Sequence, residues 1–158
     1  RNTGPSLSKR LPTPVEPTHP RVVVDAHHHL WDLSAGRYPW LQQDYDAQAF
    51  FLGDYHALRH NFLPPDYRRI SAGCQVIATV HVEAERDRNE QVAETAWLHR
   101  QHEVHGMPDV VVPHVWLDRP ETGERLLQHL AYERVRGIRS KPVTAPSEDL
   151  RDHPASQA

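Results

Sequence analysis

Four short runs of β-branched and apolar residues, separated by helix-like patterns, limit what this chain can fold into. The first is Val22-Val23-Val24, which continues into Asp25-Ala26-His27-His28-His29 and reads as a strand buried on both faces. The second, Cys74 to Ala84 (CQVIATVHVEA), is rich in Val, Ile and Thr. Side chains alternate along a strand, so Val76, Ala78, Val80 and Val82 share one face, and Thr79, His81 and Glu83 share the other. The third, Val110 to Leu117, contains Pro113, which removes a ladder hydrogen bond and predicts irregular pairing. The fourth, Val135 to Arg139, is short and ends in positive charge.

Between the runs, Pro64-Pro65-Asp66 predicts a short helix through Ile70 that Gly73 would end. Val92, Ala93, Ala96 and Trp97 recur at helical spacing from Asn89 to about His105, and Gly106-Met107-Pro108 stops that helix. Leu126, Leu127, Leu130 and Ala131 mark another. Strands alternating with helices define βαβ units on a parallel sheet, and eight such units in about 250 residues close a barrel. The expected fold is therefore α/β, a (β/α)8 TIM barrel of which residues 21–158 hold about the N-terminal half. Residues 1 to about 20 carry Pro5, Pro12, Pro14, Pro17 and Pro20 and read as a flexible arm. Trp31 to about Asn61, with Tyr38-Pro39-Trp40-Leu41 and Phe50-Phe51, is too long and aromatic for a plain connection and reads as a functional loop. The chain opens on Arg1 and stops at Ala158 after a polar stretch, so it is expected to be a fragment.

Composition excludes several classes. A net charge of −3, from 18 basic and 21 acidic residues mixed along the chain, leaves no electrostatic footprint for nucleic acid or an anionic membrane. A small-molecule substrate is the expected partner, and self-association into a homo-oligomer is left open. Cys74 is the only cysteine, so intrachain disulfides and cysteine-based zinc frameworks are excluded. No apolar run is long enough to span a bilayer and no leader pattern is visible, so the cytoplasm is expected. Any metal site must be built from carboxylates and the 13 histidines.

The candidate chemistry lies at the strand ends. His27 and His29 are two residues apart, so on a strand both imidazoles project from one face with room for an ion between them, while His28 points the other way; the alternative is a His-rich surface turn, or core histidines satisfied by backbone carbonyls. Glu83 and His81 end the second strand and would reach the same rim, where barrel enzymes carry their catalytic groups. Glu83 as an exposed acid opening the next helix is an equal alternative. His114 and Trp116 read as core. Arg139, with Lys141 two residues on, suits a substrate carboxylate, or is a solvated charge. The Tyr38-Pro39-Trp40 segment either covers a substrate through Trp40 or plugs the loop onto the barrel.

The segment VVVDAHHHLWDLSAGRYPWL resembles the start of the amidohydrolase-related (amidohydrolase 2) family, predicted metal-dependent hydrolases of the TIM-barrel type that include the L-fuconolactonase and 2-pyrone-4,6-dicarboxylate lactonase group. VHVEAERD, ETAWL and VRGIRSKP look like the same family's second strand, second helix and fourth strand, so the resemblance covers roughly residues 22–145. It implies a hydrolase that opens a lactone of a sugar acid or dicarboxylate by attack of activated water. His27, His29 and Glu83 would be catalytic, His27 and His29 would hold a divalent metal, zinc by preference, and Arg139, Trp40 and Lys141 would bind substrate. Some lactonases of the group need no metal. The family's second-half histidine and its G-S-D-W-P type aspartate, the expected general base, do not occur in these residues. Rival readings are a metal-dependent decarboxylase of the aromatic-acid type and a non-catalytic truncated half-barrel.

Overall fold

The computed structural model describes residues 21–43 and 53–141. The proline-rich arm, Phe50-Phe51 and the polar stretch from residue 142 onward lie outside the described residues. Those described form a mixed α/β unit whose sheet is parallel, with strand order β1-β2-β3. The strands are β1 Arg21–His28, β2 Cys74–Val82 and β3 Val110–Val112. The helices are α1 Pro39–Gln42, α2 Pro64–Ile70, α3 Gln91–His105 and α4 Thr122–Leu130.

Local chemistry sets these boundaries. Pro64 opens α2, where its missing N–H is no loss, and Asp66 reaches back to accept from the Leu63 N–H at 3.1 Å. Gly106 ends α3 in the left-handed region (φ 69°), a conformation that costs glycine nothing. β3 stops at Val112 because Pro113 cannot donate. Pairing then resumes irregularly: the Arg139 N–H donates to the Pro113 carbonyl at 2.9 Å and the Val115 N–H to the Arg139 carbonyl at 3.2 Å. Residues 135–139 thus extend the sheet beside β3 through parallel bridges Val111↔Val135 and His114↔Arg139 rather than as a regular fourth strand.

Helices cover one face of the sheet, with Tyr67, Trp97, Leu98, Met107, Val111 and Val135 forming the main core. The other face is open near the strand starts. Val22 and Val24 are 63% and 56% exposed, so β1 is not buried on both faces as its sequence predicts. β-branched residues select the strand conformation by themselves, but burial needs a second layer, and among the described residues none lies there.

The helices also depart from their expected apolar stripes. α3 buries Trp97 as its apolar spacing predicts, but it also buries Gln91, Glu94, Thr95 and Leu98, while Ala93 is exposed. α4 buries His129, and leaves Leu127 and Leu130 72% and 62% exposed. Three of these inward polar groups find partners there: Thr95 Oγ1 lies 2.9 Å from His129 Nδ1, and Glu94 Oε1 accepts from the Ala84 N–H at 3.0 Å. Among the described residues no helix is long and apolar enough to cross a membrane.

The long segment after β1 is fastened by its own packing. Trp31 pairs with Phe62, and Tyr38 and Leu41 are buried in a second cluster with Trp31 and Ala84. Arg86 holds this segment to the segment after β2, donating to Glu90 Oε2 (2.8 Å) and the Ala35 carbonyl (3.1 Å) while it is 6% exposed. Gly36 makes room for it: a Cβ there would stand 2.5 Å from the Arg86 guanidinium carbon. Gly36→Ala is predicted to expel Arg86 from these bonds and destabilise the protein by about 1–3 kcal/mol. Chemical denaturation reads this directly, and an unchanged midpoint would contradict the cradle.

Candidate active site

In a parallel sheet every strand ends on the same rim, so the residues at the ends of β1, β2, β3 and the 135–139 segment are brought together by topology alone. β1 supplies the histidines. Its pairing with β2 shifts by one residue between Asp25 and His28, which leaves a bulge under Ala26 and His27. The His27 and His29 rings lie 4.9 Å apart, edge to face. His28 turns to the helical side, 4.8 Å from the Tyr67 ring and 5.5 Å from His81. Tyr67 in turn donates to Asp25 Oδ2 at 2.7 Å, fixing the start of the motif to α2.

Of the two rim histidines, His27 is exposed and His29 half-buried. His29 Nδ1 is 2.8 Å from the Val82 carbonyl, which can only accept, so Nδ1 carries the proton and Nε2 keeps its lone pair. Burial holds His29 below the ordinary imidazole range against the pull of that bond, with His27 and Arg139 adding to the effect. His81 is fully buried, with Nε2 3.3 Å from the Leu30 carbonyl and Nδ1 unpartnered, so it sits beneath the rim rather than on it.

Glu83, just past β2, is fully buried and does not open a helix. Its Oε2 accepts from Arg88 at 2.8 Å and from the Glu85 N–H at 2.9 Å. Its Oε1 makes no hydrogen bond and faces Arg139 Nε at 3.5 Å. Burial alone would raise this carboxyl, but Arg88, the Glu85 N–H and Arg139 together hold it below its ordinary value. His114, beside Arg139 in the sheet, is buried against Trp116 at 4.6 Å between ring centres and lowered to about 4 by burial and by Arg88.

Above this rim lies an open cavity of about 380 Å³ walled by the segments that follow each strand. Pro39 and Trp40 come after β1, Glu85 to Arg88 after β2, Trp116 after β3, and Lys141 after residues 135–139. Trp40 is fixed by its indole N–H, which donates to the Ala84 carbonyl at 3.0 Å. Tyr38 and Leu41 of the aromatic segment are buried as a plug, and Trp40 lines the cavity. Of the sequence-derived site residues, Trp40 and Lys141 line the cavity. His29, Glu83 and Arg139 are coupled to one another beside it, and Arg88 joins the two sets by lining the cavity while binding Glu83. Sequence reasoning missed Arg88, Glu94 and the wall role of Trp116. Arg88 follows Glu83 by five residues in an irregular segment whose course no periodicity forecasts.

His27 and His29 offer two imidazoles, whereas a zinc ion takes about four ligands. Among the described residues no group of three or more His, Cys, Asp or Glu side chains could hold an ion, so they do not fit a complete metal centre.

No protein-family profile matches the chain. A Sinorhizobium fredii protein described as uncharacterized protein y4mH is 33% identical over 117 residues, which are 74% of this chain and 39% of that protein. The chain thus spans about two fifths of the length of the curated relative it matches. Among solved structures, amidohydrolase 2 from Bifidobacterium longum subsp. infantis is 21% identical with a TM-score of 0.46, over 62% of this chain and 34% of that one. That likeness is too shallow to carry a fold or a function across.

The buried titrating groups give stability a maximum. Burial lowers His28 and His114 to about 4 from 6.5, so both resist charging in the folded chain. Their stabilisation is present above pH 6.5 and is lost as pH falls toward 4. Burial raises Glu94 to about 8 from 4.5, so its contribution has the opposite sign, present below 4.5 and lost as pH rises to 8. The two histidines outweigh the one carboxyl where the windows overlap. Thermal midpoints are therefore predicted to peak near pH 6.5, and Glu94→Gln to flatten the fall above it. A falling limb that survives Glu94→Gln would contradict the assignment.

Proposed function

We infer that this chain contributes the first strands of a (β/α)8 barrel of the amidohydrolase superfamily, and that the whole enzyme hydrolyses a cyclic ester, a sugar-acid or dicarboxylate lactone. One observation carries the reading: Glu83 and Arg139 face each other, and His29 is bonded to the neighbouring Val82 carbonyl, at the C-terminal ends of parallel strands, beside a cavity walled by the segments that follow those strands. The length of the Sinorhizobium fredii relative leaves room for the remaining strand-helix units.

In lactone opening, water oxygen bonds to the carbonyl carbon, the ring C–O bond breaks, and carboxylate, hydroxyl and one proton result. Each described residue has a part. Trp40 and Trp116 offer apolar walls to the ring. His29 Nε2, a neutral acceptor of fixed tautomer, can orient water or take its proton. Glu83 Oε1, buried and without a hydrogen bond, is a second acceptor, and Arg139 is a fixed cation for a substrate oxygen. The family resemblance assigns the principal base to an aspartate outside these residues.

In the enzyme containing this chain, His29→Ala is predicted to abolish turnover with the fold kept, and Arg139→Lys to raise KM more than it lowers kcat. A pH-indicator assay across a lactone panel measures both. Carbon dioxide release from aromatic acids without lactone opening would move the protein to the decarboxylases, and silence in both assays would favour a non-catalytic role.

A further inference from the structure

The charges around the cavity are already matched. Arg86 is bound to Glu90, Arg88 to Glu83, and Asp87 to Arg37, in each case a partner outside the cavity wall. Among the described ion pairs, Glu85 with Lys141 is the one whose two members both line the cavity. Glu85 is also the one non-glycine residue with positive φ (56°) among the described residues, in a region side chains rarely adopt.

Three hydrogen bonds hold that turn. The Ala84 N–H donates to the buried Glu94, the Trp40 indole donates to the Ala84 carbonyl, and the Glu85 N–H donates to Glu83 Oε2. A backbone conformation of this cost persists where its surroundings impose it, and here the Glu85 carboxylate is paired with Lys141 in the cavity wall.

We propose that Glu85 determines specificity in this cavity: by occupying Lys141 it makes the cavity select uncharged rings and reject carboxylate-bearing ones. This rests on reading the cavity as the substrate site and narrows the substrate class given above. A ligand carboxylate that approaches Lys141 must lie beside Glu85, a like-charge contact that discriminates by repulsion. An uncharged ring meets two indoles and a closed ion pair, and breaks nothing.

Methyl β-glucoside and methyl β-glucuronide test this, being one ring without and with a carboxylate and having no lactone to open. Binding to the enzyme containing this chain is followed by indole fluorescence, with Trp116→Phe assigning the signal. The wild type is expected to bind the glucoside about 5-fold tighter, and Glu85→Gln to gain about 10-fold for the glucuronide with the glucoside within about 2-fold. Adding Lys141→Met to Glu85→Gln should erase the gain, which separates a freed cation from a rearranged turn. An unchanged ratio in Glu85→Gln, a wild-type preference for the glucuronide, or no binding of either ring would each overturn the proposal. If the ratio shifts as expected but no lactone is opened, the lactonase reading fails and the role of Glu85 stands.

Discussion

The buried Glu83 carboxylate is the contact on which the rim depends. It is fully removed from solvent, yet it joins three parts of the chain: the end of β2, the following turn through Arg88 and Glu85, and the 135–139 segment through Arg139. Burying a charge is costly unless it is paired, and removing one partner from such a pair costs about 3–5 kcal/mol. Loss of either arginine would leave the buried carboxylate short of a partner, whereas Arg88 and Arg139 each keep some access to solvent. Arg88 in the cavity wall and Arg139 on the 135–139 segment are both directed at this one anion.

Around it the structure divides its labour. The strands supply direction, since parallel pairing places every strand end on one rim. The irregular segments supply the walls, and they are held by polar contacts instead of regular secondary structure. The Ala84 peptide shows how: its N–H is taken by Glu94 and its carbonyl by Trp40, so a helix residue and a cavity wall are fixed to the same two atoms. Arg86 in the space left by Gly36 does the same for the segment after β1.

Much of this was legible in the sequence where a local rule governs. Pro64 and Ile70 bound α2 as expected, Pro113 interrupts its strand, and the two-residue spacing of His27 and His29 brings their rings together. The sequence reading failed where tertiary pairing decides. Apolar spacing favoured Ala93 and Leu127 as inward residues, but Glu94, Thr95 and His129 are buried because each finds a hydrogen-bond partner across the structure. Arg88 and Trp116 could not be assigned to a cavity wall, because the course of an irregular segment is set by contacts far away in sequence. The open face at Val22 and Val24 likewise depends on what lies against it, not on strand propensity.

The most direct test of this account is the titration of the Glu83 side-chain carboxyl, followed by carbon-13 NMR of selectively labelled protein. The ion pairs require a midpoint below the ordinary 4.5, moving upward in Arg88→Gln. A midpoint above 4.5 in the unmodified chain would mean that burial outweighs pairing, and that Glu83 does not hold the rim together.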